Sequence, residues 1–385
     1  MKKIYSLIMI MLLVFSLFGC SIPVGREDAS IPTSAKPEEL SEPEIISVFA
    51  LGDNLLHMPV VDSCKQADGS YDFSNIYENL QPEIKNADLA VIGQETVFAG
   101  EEYGYSGYPL FNSPSDAGRT MVKEGFDVVL HASNHALDKW DVGIENTLDF
   151  WEAYPEVTVL GFNRTEPEQK IPRIINVKGA EIALLNYTYG TNGFTPPAGK
   201  EHIVNYIDPE KIQHDAEFAE KNADFTIAFM HWGTEDSTSA SDSQVSLAMD
   251  MCRWGVDLII GAHPHVIEPM EWIADKNGNK TLVYYSLGNF VSRQLEATNI
   301  MGAIADVKLI VEDGKVSVHD YSFVPIVTHY ESDYSRFDVY KLKDYNDELA
   351  KRHGIAPHDG AVSIERWKNI VTEIFEGYDM SKVDM

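Results

Sequence analysis

The stretch that most constrains this chain is Val256-Asp-Leu-Ile-Ile-Gly-Ala-His-Pro-His-Val266. Residues 256–260 are apolar apart from Asp257 and stop at Gly261, the mark of a buried strand. Two imidazoles follow, His263 and His265, on either side of Pro264. Proline fixes its own φ and pushes the residue before it toward extended geometry. Residues i and i+2 share a face of an extended backbone, so both rings can aim into one site at the strand's end. Two surface histidines in a loop is the competing reading. It weakens because similar strand ends recur along the chain.

The strand at 46–51 ends in Gly52-Asp53, with His57 shortly after, and 87–92 delivers Gly93-Gln94-Glu95. The run 125–131 leads into Ala132-Ser-Asn134-His135 and on to Asp138. The run 224–230 ends at His231-Trp-Gly233, with Glu235 close behind, and 281–286 leads into Leu287-Gly-Asn289-Phe290. Between them, 144–150, 209–222 and 244–254 carry helical spacing. Strands alternating with helices predict an α/β fold, which gathers ligands outside the carboxyl ends of its strands. Asp53, Glu95, Asn134, His231, His263 and His265 therefore form a candidate ligand set. Mixed carboxylate, amide and imidazole donors suit Mn, Zn, Fe or similar divalent ions, and no cysteine-based site is indicated. Six donors are enough for one or two ions sharing a carboxylate. His135 remains free to move a proton. His57, Asp138, Glu235 and Asn289 are candidate supporting residues, Asp138 as a cap or an orienter of His135. Each motif alone has a plainer reading, an Asx turn at Asp53 or a turn with a helix cap at Asn134-His135.

The amino end gives an address. Met1-Lys-Lys precedes an apolar run at 4–18 that fits a secretory h-region and is short for a membrane span. Its ending, Leu17-Phe-Gly-Cys20, resembles a bacterial lipoprotein signal. That resemblance implies lipidation of Cys20 and a place on the extracytoplasmic face of the cell membrane. An ordinary secretory peptide or a retained anchor is the alternative. Residues 21–44 are rich in Ser, Pro, Ala and acids and read as a flexible tether. Asp plus Glu total 60 against 30 Lys plus Arg, a net charge of −30. This argues against nucleic acid as a partner, and an anionic substrate would need metal cations or local Arg and Lys. Cys64 and Cys252 can pair outside the cell or serve as small buried hydrophobes, and the sequence leaves both open.

Together, Gly52-Asp53, Glu95, Ala132-Ser-Asn-His135, His231-Trp-Gly233, Gly261-Ala-His-Pro-His-Val266 and Tyr285-Ser-Leu-Gly-Asn-Phe290 resemble the bacterial capsule-synthesis CapA family. Its members are similar to poly-γ-glutamate capsule biosynthesis proteins and are related to calcineurin-like metallophosphoesterases. The resemblance covers residues 45–294. It implies a layered α/β/β/α sandwich of the metallophosphatase-like type, with Glu95 bridging metals held by the six residues above. It also gives His135 the role of protonating a leaving group or steadying a phosphate. The second strand end is Gly93-Gln-Glu-Thr-Val97 where the family has Asn-Leu-Glu-Gly-Pro, and the phosphatase Asp-x-His is missing after the first strand.

Residues 302–311 and 316–325 read as a hairpin through Glu312-Asp-Gly314 that completes the second sheet. After an irregular 328–338 link, 340–353 and 363–375 read as amphipathic helices. The expected organisation is a signal peptide at 1–20, a tether at 21–44, the CapA-like domain at 45–327 and a C-terminal helical appendage at 328–385. The expected function is a metal-dependent hydrolase acting on a cell-envelope polymer. The alternative is a non-catalytic accessory subunit that holds or exports an anionic polymer for the capsule synthesis machinery.

Overall fold

A computed structural model describes residues 43–385. The signal peptide, Cys20 and nearly all of the tether lie outside these residues. Residues 43–385 form one compact unit.

The chain opens with β1 (Glu44–Asn54), then β2 (Leu89–Gln94), β3 (Val128–Leu130) and β4 (Thr158–Leu160), parallel neighbours in one sheet. The second sheet follows: β5 (Arg173–Val177), β6 (Ala180–Thr188), β7 (Phe225–His231), β8 (Leu258–Ala262), β9 (Met270–Ala274) and β10 (Lys280–Tyr284). Its inner strands β6, β7, β8 and β10 are parallel, and β5 and β9 close the edges antiparallel. The chain then returns to the first sheet with β11 (Asn289–Val291), β12 (Met301–Glu312), β13 (Lys315–Tyr330) and β14 (Phe337–Lys341).

Period-2 alternation divides the second sheet between two cores. Leu184, Phe229, Leu258, Ile260, Leu282 and Tyr284 join the main core with Val48, Ala50, Ala90 and Ile92 of the first sheet. Leu185, Met230, Ile259 and Val283 point the other way, under Ile212, Ala216, Ala248 and Met251 of helices Pro209–Asn222 and Asp242–Arg253. The first helix starts at Pro209 because Asp208 caps the Glu210 N–H at 3.0 Å. The second starts with a Ser241/Gln244 capping box. Ile76, Leu80, Ile84, Met121 and Trp151, on helices and turns around the first sheet, complete the sandwich. Each buried aliphatic side chain contributes about 1.5–3 kcal/mol.

Three expectations change. The 302–325 hairpin does not complete the second sheet; β12 pairs antiparallel with β1, from Glu44↔Val311 to Leu51↔Ile304, and covers that strand's free edge. Strand β13 runs past Pro325 and residue 327 to Tyr330, where β14 joins it. Proline is tolerated there because the β14 ladder begins at Ile326↔Lys341. The helix expected at 340–353 shrinks to Asp347–Arg352, because Tyr340 and Lys341 belong to β14. Helix Ile364–Ile374 matches its expectation, and Trp367, Val371 and Phe375 are buried in the main core, with Phe375 4.9 Å from the Phe323 ring. Cys64 and Cys252 are buried free thiols.

Candidate metal centre

Parallel strands bring the candidate ligands to one end of the molecule. Asp53 closes β1 opposite Gly93 and Asn289, Glu95 follows β2, and Asn134 and His135 follow β3. His231 ends β7 beside Ala262, and His263 comes directly after β8. The approach of β11 to β1 requires Gly52, since a Cβ there would lie 2.0 Å from the Gly288 carbonyl oxygen. Gly261 is held the same way, 1.9 Å from the Tyr285 oxygen.

The His-Pro-His turn reaches the site by a different route from the one expected. His263 and His265 sit at φ 99° and 59°, in the left-handed region, and are not extended. Such backbone costs on the order of 1–3 kcal/mol per residue and persists where its surroundings fix it. Here the His263 N–H donates to Asp53 Oδ2 at 2.9 Å, and the Pro264 carbonyl accepts the Asp236 N–H at 2.9 Å. Both rings still turn inward, with centroids 5.7 Å apart and His263 4.8 Å from His231.

Glu95 sits at the centre. Its Oε1 is 3.8 Å from His265 Nε2, 3.9 Å from His231 Nε2 and 4.0 Å from His135 Nε2. Asp53 faces the same space, 3.6 Å from His231 Nδ1 through Oδ1 and 3.6 Å from His265 Nδ1 through Oδ2. Asn134 Oδ1 is 2.9 Å from His231 Nε2. Both Glu95 oxygens are buried with no hydrogen-bond partner, and so is His263 Nδ1. Burial drives Asp53 up to about 7 and Glu95 well above the carboxylate range, the latter helped by Asp53, Asp138 and Glu235. The same burial pushes His263 down to about 3, His265 to about 4 and His231 well below 6.5. Two acids and three neutral imidazoles thus face one point with no positive charge among them. A divalent cation reverses the first shift and tolerates the second, because it binds carboxylate and neutral imidazole. The donor set fits such an ion.

Two groups have donor atoms close enough to share an ion, Asp53–Glu95–His265 and Glu235–His263–His265. Glu235, expected only as support, therefore stands beside the site as an exposed carboxylate. Asp138 Oδ2 accepts from His135 Nδ1 at 2.7 Å and from the Phe111 N–H at 2.7 Å. Phe111 packs edge-on against His135 at 4.7 Å and His57 at 5.3 Å. His57 stays outside the ligand groups, its Nδ1 between the Leu55 carbonyl (3.2 Å) and the Arg293 N–H (3.3 Å). Asn289 Oδ1 contacts His265 Nδ1 at 3.1 Å.

Residues 191–199 read in sequence as a loop that could overhang a site, and Asn192 Oδ1 in it accepts from Asn134 Nδ2 at 3.3 Å. Sequence reasoning does not single out Tyr189, whose ring lies 4.4 Å from His263. Tyr189 follows Thr188, which pairs with His231, so its position at a parallel strand's carboxyl end was the available signal.

Among solved structures, the chain is similar to the 5'-nucleotidase precursor of Thermus thermophilus (TM-score 0.45, 13% identity, 74% of this chain and 54% of that one). It is also similar to the calcineurin-like phosphoesterase YfkN of Bacillus subtilis (TM-score 0.41, 14% identity, 87% and 98%). In sequence it is 34% identical over 263 residues to the PGA biosynthesis protein CapA of Bacillus subtilis (strain 168), covering 65% of this chain and 64% of that protein. It is 27% identical over 290 residues to the capsule biosynthesis protein CapA of Bacillus anthracis, covering 70% and 64%. The match thus spans 64% of the length of each of these relatives. The family model for the bacterial capsule synthesis protein PGA_cap matches residues 47–294, most of the chain, and the protein belongs to that family.

Proposed function

We propose that this protein is a metal-dependent hydrolase of the metallophosphoesterase type, acting on a phosphoester or a related ester or amide bond in capsule or poly-γ-glutamate metabolism. The observation that carries the reading is Glu95, a buried carboxylate without a hydrogen-bond partner, with three imidazole Nε2 atoms 3.8–4.0 Å from one of its oxygens. Asp53, Glu95, Asn134, His231, His263 and His265 would hold one or two divalent ions, with Mn, Zn or Fe the best match to the donors. The chemistry supplied there is Lewis acidity toward a phosphoryl or acyl oxygen and toward water. The protein's own part is orientation and proton transfer. Asp138 fixes the His135 ring through Nδ1, so that Nε2 would give its proton to the leaving oxygen as the bond to that oxygen breaks, while the attacking water adds and releases a proton to solvent. Tyr189 and Phe111 flank the imidazoles and limit water around them.

The accessory-subunit reading draws on the first strand end. Leu55 stands where the phosphatases place a second histidine, and His57 Nδ1 is engaged by backbone groups. A site short of one ligand would hold an anionic polymer without cleaving it. In either reading the lipoprotein-like ending at Cys20 would anchor the domain to the outer face of the cell membrane, within reach of envelope polymer and capsule synthesis machinery.

The deciding experiment is metal content and turnover of a chromogenic phosphoester, for the protein purified without chelators beside His135→Ala. About one or two ions per chain in both proteins, with turnover lost only in the variant, is the expected result. No bound metal after incubation with Mn, Zn or Fe would sink the hydrolase. Polymer binding without turnover would favour the accessory subunit.

A further inference from the structure

The segment between β11 and β12, residues 292–300, straddles residue 294, where the family match ends, with 295–300 beyond it. It touches the metal centre at two points. Asn289 Nδ2 donates to Gln294 Oε1 at 2.6 Å, to the Asn299 carbonyl at 2.8 Å and to the His265 carbonyl at 3.1 Å. Asn299 Nδ2 donates to Asp236 Oδ1 at 2.7 Å, holding the loop that carries Glu235. These contacts settle which way the Asn289 amide faces. Its nitrogen is surrounded by three oxygens that can only accept, so its oxygen must be the atom facing His265 Nδ1. An amide oxygen cannot donate, so Nδ1 carries the hydrogen. The lone pair of His265 is then on Nε2, the atom 3.8 Å from Glu95.

The segment is in turn pinned from the C-terminal region. The Ala297 N–H donates to Asp359 Oδ2 at 2.7 Å, and Arg366 Nη2 donates to the same oxygen at 2.8 Å. Arg366 Nη1 also donates to the Asp359 carbonyl at 2.8 Å and the Ala361 carbonyl at 3.2 Å. The Arg293 guanidinium lies over the Tyr334 ring, 4.6 Å from its centroid, and the Thr328 N–H donates to the Ile300 carbonyl at 2.9 Å.

We infer that residues 292–300, fastened by Asp359 and Arg366, are a positioning element of the metal centre. Gln294 and Asn299 hold the Asn289 amide in the one orientation that turns the His265 Nε2 lone pair toward the ion, and Asn299 sets the Glu235 loop at the same time. The inference rests on the reading that this centre binds a divalent cation. It gives the C-terminal region, outside the matched family stretch, a part in the site.

The test uses the full chain and Co(II) as the probe, reading both its dissociation constant and its visible ligand-field spectrum. Removing groups that orient a metal-binding histidine typically weakens affinity about 10- to 100-fold. Asp359→Ala and Gln294→Ala are each expected to weaken Co(II) by about 10-fold and to alter the spectrum. Asp359→Asn keeps an acceptor for the Ala297 N–H and is expected to restore both. If Asp359→Ala does not fold, Gln294→Ala alone decides. Wild-type affinity and spectrum in Gln294→Ala would overturn the inference. A wild-type protein that binds no Co(II) would instead overturn the metal-centre reading beneath it.

Discussion

Replacing Glu95 by Gln keeps the side chain's shape and removes its charge, and the effect should depend on whether a cation is bound. Without metal, burial and the neighbouring acids raise Glu95 well above the carboxylate range, which favours its uncharged form. Exchanging one neutral, unpartnered group for another should then change stability by no more than about 1 kcal/mol. With metal, the carboxylate is ionised against a positive charge. A divalent cation and a carboxylate about 4 Å apart attract by about 8 kcal/mol at an effective dielectric near 20. Desolvation of the ionised acid subtracts from this. A net loss of about 2.8 kcal/mol corresponds to about 100-fold in affinity. Thermal unfolding with and without Mn(II) reads both halves. At about 1,000 times the wild-type dissociation constant, bound metal stabilises the wild type by about 4.1 kcal/mol, and a 100-fold weaker variant by about 1.4 kcal/mol. Equal metal-induced stabilisation of the two proteins would refute the central placement of Glu95. A metal-free variant several kcal/mol less stable than the wild type would refute the claim that its charge has no protein partner.

Two further outcomes test the C-terminal half. His329 and His353 are buried 5.1 Å apart, and burial lowers them to about 3 and about 4. Both values lie below the unfolded value near 6.5, so the unfolded chain binds more protons, and stability present above pH 6.5 is lost as pH falls toward 4. Each contributes about 1.4 kcal/mol per pH unit to that slope, so His353→Asn should flatten urea-derived stability between pH 6 and 4.5 by about that amount; an unchanged slope would remove His353 as a source. Trp367, wholly buried, should cost about 3–5 kcal/mol when changed to Ala and should move a single unfolding transition. A separate early transition would mean that the last helices fold apart from the sandwich.

What could be read from the sequence was what adjacent residues encode. Each strand end in the ligand set announced itself through an apolar run, a stop and a polar donor, and all six donors converge. Helix Pro209–Asn222 was legible to its last residue because its cap, proline and periodicity are contiguous. The failures involve partners distant in sequence. Periodicity identified β12 and β13 as strands but not β1 as the neighbour of β12, more than 240 residues away. The pre-proline rule favoured an extended His263, and a hydrogen bond to Asp53, 210 residues away, overrode it.

The same distinction explains why the candidate ligands are easier to find than the residues packed behind them. A metal ligand has to be one of a few side-chain types, and at a strand end that type is conspicuous. An orienting group needs only an oxygen or an N–H in the right place, and backbone atoms serve as well as side chains. The Asn299 carbonyl, which accepts from Asn289 Nδ2, and the Ala297 N–H, which ties the same segment to Asp359, leave no trace in residue identity. Asp359, the partner of the Ala297 N–H, lies 62 residues from it, between the two helices expected at 340–353 and 363–375. A centre whose histidine geometry depends on such atoms can keep every recognisable ligand and still lose affinity when a distant turn changes. Substitutions at 294–299 and 359–366 are therefore as direct a probe of this site as substitutions of the histidines themselves.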